Sequence, residues 1–100
     1  MKEFKGQLEM FKYIWLHREH KSELTGEFLL PPGHSQWHFQ FLHVLPKGSF
    51  PYYKLNPDNI LLGLPYEHEH QEQYKVFNDK KLALTRAYYK EFYGKAYDED

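Results

Sequence analysis

His43-Val44-Leu45-Pro46-Lys47-Gly48, then Lys54-Leu55-Asn56-Pro57-Asp58-Asn59-Ile60, then Glu67-His68-Glu69-His70 set the architecture expected of this chain. Upstream of His43, residues Gln36 to Leu45 alternate around Trp37, Phe39 and Phe41, the period of two of a strand with one buried face. Pro46-Lys47-Gly48 stops that strand. Ser49 to Asp58 holds two prolines and an Asn-Pro-Asp-Asn turn, so an ordered loop follows. Ile60-Leu61-Leu62 is then a short apolar strand closed by Gly63. Pro65 suits the first turn of a helix, predicted from Tyr66 to about Phe77.

The flanks are helical. Leu8, Phe11, Ile14 and Trp15 recur at three and four, with Leu16 beside them, which predicts an amphipathic helix over Gln7 to about His20. Ser22-Glu23-Leu24-Thr25-Gly26 reads as a turn, and Pro31-Pro32-Gly33 as a loop. Asn78 or Asp79 can cap a last helix, about 79–93, with Leu84, Ala87, Tyr88 and Phe92 inward and Gly94 at its end. The acidic tail Asp98-Glu99-Asp100 is expected to fray. One hundred residues suit a single α+β domain over 1–100, with its core at about 22–77.

Composition narrows the chemistry. Aromatic residues reach 19%, including nine Tyr and eight Phe, which suits a small domain because each ring buries much area for one fixed side chain. Trp37, Phe39 and Phe41 are assigned to the core. Cysteine is absent, so disulfides and thiolate zinc sites are excluded, and any metal falls to His and carboxylates. The net charge of −1 does not announce a nucleic-acid binder, so such contacts would come from a local basic patch. No membrane-length apolar run or signal-peptide core stands out, and the expected location is the cytoplasm.

Three polar landmarks could carry chemistry. His43 ends the first strand, Asn59 follows sixteen residues later at the start of the second, and His68 nine after that, in the helix. On a continuous α-helix His68 and Glu72, at i and i+4, would share a face and could point at one divalent ion. Magnesium and manganese are the favoured ions, with zinc an alternative. His70 lies on another face of such a helix. Asn59 suits a turn in any fold.

In this register the chain resembles the HNH endonucleases, the ββα-metal nucleases, over roughly Ser22 to Phe77, and most of all the small ones of phages and bacteria. The resemblance implies a ββα-metal core: a hairpin with a long loop packed on a helix. His43 would be the general base, its ring oriented by a backbone carbonyl. Asn59 would tie the loop to the hairpin, and His68 would hold the catalytic metal with Glu72. Directly before the base the family carries Asp, His or Glu as a further ligand; this chain has Leu42, and His38, His70 or His43 itself are the candidates to replace it. Many members bind structural zinc through a Cys-x-x-Cys-Gly knuckle and two further cysteines. Here Ser22-x-x-Thr25-Gly26, Leu64 and Glu67 stand there, which implies no structural zinc and apolar packing in its place.

The implied activity is metal-dependent hydrolysis of DNA phosphodiester bonds, as an endonuclease or nicking enzyme. Lys47, Lys54, Lys80, Lys81 and Arg86, with Lys90, are the candidate phosphate contacts. The alternative is an inactive HNH scaffold that binds DNA or protein, its metal affinity lost at Leu42. So short a chain leaves little room for a separate recognition domain, so sequence-specific cleavage would call for a homodimer or a protein partner.

Overall fold

The computed structural model describes residues 3–94. The acidic tail therefore lies outside the described residues. Helix α1 (Gln7–His17) leads to strand β1 (Phe41–His43), strand β2 (Ile60–Leu62), short helix α2 (Pro65–His68) and long helix α3 (Lys75–Tyr93). The result is an α+β arrangement on a two-stranded antiparallel hairpin, with Phe41 opposite Leu62, Leu42 opposite Leu61 and His43 opposite Ile60. Among the described residues no helix is long and apolar enough to cross a membrane.

The hairpin is covered on both faces. Side chains alternate along a strand, and Phe41, Ile60 and Leu62 pack with Met10, Phe11, Ile14 and Trp15 of α1 and with Trp37. Phe11 stacks on Phe41 at 4.2 Å, and Trp37 meets both Trp15 and Phe41 edge-on. Leu42, Val44 and Leu61 face the other way, onto Phe77 of α3 with Leu24, Tyr74 and Leu84 around it.

Four expected boundaries change. The N-terminal helix stops at His17 instead of His20, because Arg18 takes extended backbone (φ −125°, ψ 159°). From there its guanidinium donates to the carbonyls of Pro57 and Ile60, each at 2.7 Å, and pairs with Glu23 at 2.9 Å. The Glu23 carboxylate accepts from Leu62 N–H at 2.7 Å. Arg18 and Glu23 together satisfy the outer edge of β2, which would otherwise present unpaired backbone groups.

The first strand does not extend over 36–45. Trp37–Gln40 forms a 3-10 turn, which places Trp37 and Gln40 inward and leaves Phe39 56% exposed, so Phe39 is not core. The cause is Gln40. Its fully buried amide accepts from Leu30 N–H (2.7 Å) and donates to Leu30 O (3.0 Å), pairing backbone groups that no strand reaches.

The helix expected over 66–77 is broken. It ends at His68, gives a 3-10 turn at Gln71–Gln73, and restarts at Lys75 after extended Tyr74. The run from Glu69 to Gln73 has no apolar residue to bury, so nothing holds it on the core. The last helix therefore begins at Lys75 and not at Asp79. Asn78 does not cap it; its side chain donates back to the Glu72 carbonyl at 2.9 Å. Leu84 and Tyr88 of its inner face are half-buried, but Ala87 and Phe92 are exposed and only Phe77 is fully enclosed.

Candidate active site on the hairpin and its helix

Asn59 organises the long loop. Wholly buried, it accepts from Leu45 N–H at Oδ1 (2.8 Å) and donates through Nδ2 to Leu45 O (3.1 Å) and to Tyr53 O (3.5 Å). The loop is further shaped by Asn56, whose side chain accepts from Asp58 N–H at 2.9 Å in an Asx turn. Tight turns at Pro51–Tyr53 and Pro57–Asn59 complete it. Its path delivers the Lys54 carbonyl to the ring of His43, with Nε2 at 3.3 Å.

A carbonyl can only accept, so the proton sits on Nε2 and Nδ1 keeps a free lone pair. Burial of the half-exposed ring is the main effect on its acidity and lowers the pKa below the usual imidazole value. The Lys54 bond opposes this, and the nearby Lys47 charge adds to the lowering. His43 is thus a neutral imidazole at pH 7 with one nitrogen able to take a proton.

His68 ends α2. Gly63 packs beside it: a Cβ at Gly63 would lie 3.5 Å from His68 Cδ2 and 3.2 Å from Leu24. The Nε2 edge of the ring thus lies along Gly63, and Nε2 itself is buried with no hydrogen-bond partner. Burial lowers the His68 pKa, against the pull of the Glu67 charge and the Gly63 backbone. A neutral imidazole with an unpartnered ring nitrogen is the form in which histidine binds metals.

The rest of the expected ligand set is spread. Glu72 is exposed in the 3-10 turn, so the shared α-helical face with His68 does not exist. His68, His70 and Glu72 instead line one open cleft formed by residues 68–73. His38 is exposed on the 3-10 turn before β1, its ring against Phe39. Leu42 is buried among Leu61, Val44 and Phe77, so an apolar contact fills the position before His43. Among the described residues no three His, Asp or Glu side chains converge on one point. Lys47, Lys54, Lys81 and Arg86 are exposed and Lys80 half-buried, with Lys81 Nζ 6.0 Å from the Phe77 ring centre.

The four knuckle positions do meet, but their packing is polar, not apolar as expected. Ser22 Oγ accepts from Leu24 and Thr25 N–H (3.1 and 3.2 Å) and donates to Glu67 Oε1 at 2.7 Å. The same oxygen accepts from Leu64 N–H at 2.7 Å, while Gly26, at φ 82°, closes the turn. Glu67 is wholly buried. The resemblance puts Glu67 at the knuckle position with Ser22 but not its burial as a hydrogen-bonded carboxylate, since a Glu in a polar helix reads as solvated. The available signal was its place two residues after Pro65, where a carboxylate can accept from the first backbone N–H groups of a helix. No known protein family, curated protein or solved structure matches this chain.

Proposed function

We propose that this chain is a cytoplasmic, metal-dependent DNA endonuclease or nicking enzyme of HNH type, with β1, β2 and α2 as its ββα-metal core. The observation that carries the reading is the loop held by Asn59, whose Lys54 carbonyl orients a half-buried His43. The hydrogen-bonded cluster of Ser22, Leu64 and Glu67 supports it, because residues far apart in the chain meet where the family binds structural zinc.

In this mechanism His43 Nδ1 takes the proton of the attacking water, and the Lys54 carbonyl keeps the tautomer that leaves Nδ1 free. His68, whose Nε2 has no protein partner, is the residue that would hold a divalent ion, magnesium or manganese with zinc the alternative, and Glu72 and His70 line the cleft that His68 borders. When bound, such an ion supplies charge stabilisation to the scissile phosphate. Water and phosphate oxygens would complete a shell that Leu42 cannot join. Lys47 and Lys54 lie on the loop beside the base and contribute salt-sensitive phosphate affinity.

A second reading, an HNH scaffold that binds DNA or protein without cutting, is favoured by the burial of Leu42 in an apolar cluster. Manganese separates the two. An ion that binds only the folded state at a concentration about 100 times its Kd adds roughly 2.7 kcal/mol of stability. Manganese is expected to raise the melting temperature of the wild type by several degrees and to leave His68→Ala unmoved. No rise in the wild type would favour the binding module.

A further inference from the structure

We propose that Tyr52 and Phe92 form a stacking platform for unpaired bases of single-stranded DNA. The proposal rests on the nucleic-acid reading above and names the form of substrate that the His43 site takes.

Tyr52 is 71% exposed, Tyr93 60% and Phe92 39%. Phe28, Phe39 and Tyr66 are also exposed, and what sets Tyr52 and Phe92 apart is that they stack on each other. They are also held in place. Tyr52 stacks on Phe92 at 4.8 Å with an interplanar angle of 20°, and Phe92 rests against Tyr88 at 4.6 Å. Tyr88 in turn meets Phe50 edge-on at 4.8 Å. Loop and helix α3 thus present flat aromatic faces that are ordered before any ligand arrives, so little freedom remains to be lost on binding.

The platform is joined to the candidate base through the chain. Tyr52 is followed by Tyr53, whose carbonyl accepts from Asn59, and by Lys54, whose carbonyl holds His43. Exposed Lys54 and Lys90 flank the rings in sequence and supply phosphate partners; Glu91, adjacent to Phe92, is the acidic neighbour. Bases in a duplex are stacked on one another and cannot offer a face to these rings. Unpaired bases can, and aromatic stacking with backbone lysines is how single strands are bound without sequence readout.

Fluorescence anisotropy in EDTA tests this without cleavage, with an oligothymidine of about 20 nucleotides against a blunt duplex of equal length. The wild type is expected to bind the single strand more tightly than the duplex. Tyr52→Ala should weaken single-strand binding roughly tenfold, Tyr52→Phe should retain it, and neither should alter duplex binding. Phe92→Ala should reproduce the loss from the other side of the stack. Equal affinity of wild type and Tyr52→Ala for the single strand would overturn the platform, as would an equal loss on both ligands. The outcome is separable from the nuclease reading. Tyr52-dependent binding by a protein that cuts nothing keeps the platform and removes the enzyme; His43-dependent cleavage with Tyr52-independent binding does the reverse.

Discussion

His43→Ala is expected to fold as the wild type does and to lose metal-dependent nicking by roughly 100- to 10,000-fold, the usual contribution of a positioned general base. The ring is half-buried and its hydrogen bond is to a backbone carbonyl at 3.3 Å, so its removal leaves no buried charge and only a small gap. Circular dichroism and melting should therefore change little while the rate collapses. The pH profile carries a second signature. A base works only when deprotonated, and burial holds the His43 pKa below the ordinary imidazole range. Activity should therefore persist below pH 6.5 before acid extinguishes it. A rate that begins to fall near neutrality would place the base elsewhere.

Asn59→Ala is expected to cost about 3 kcal/mol of folding stability, measured by urea denaturation. The substitution removes both bonds to Leu45, whose side chain is 1% exposed, and leaves its N–H and C=O buried and unpaired. Each orphaned backbone group costs about 1–3 kcal/mol. A domain of this size has roughly 5–15 kcal/mol in all, so the loss is a large share and lowers the melting temperature by more than about 10 °C. Asn59→Asp keeps the acceptor for Leu45 N–H but sets an oxygen against Leu45 O, so it should not restore the wild type. A loss below about 1 kcal/mol would mean that the loop holds its shape without Asn59.

What could be read from the residues was whatever local chemistry fixes by itself. Gly94 ends α3 at φ 67°, in the left-handed region that glycine adopts freely, and Ile60–Leu62 is a strand. The turn at Ser22–Gly26 and the ordered loop before Asn59 are equally local. What could not be read depends on partners distant in the chain. Gln40 abandons the strand pattern because Leu30, ten residues earlier, needs its amide. Arg18 leaves α1 because Pro57 and Ile60 offer carbonyls across the fold.

The site divides in the same way. His43, Asn59 and His68 stand out through their spacing, and Asn59 and His43 join one loop-centred hydrogen-bond network. The pairing of His68 with Glu72 assumed a helix that continues past His68, and a run of five polar residues with nothing to bury ends it there. Ser22 and Glu67 were placed together by the resemblance, but the polar bond between them, across 45 residues, was not legible and apolar packing was expected instead.

The most direct measurement is the conversion of supercoiled plasmid to nicked circle by the folded wild type in manganese or magnesium, with EDTA and His43→Ala alongside. Nicking that needs the ion and disappears with His43 is the result this account predicts. No nicking with either ion, or nicking that His43→Ala performs equally well, would contradict it.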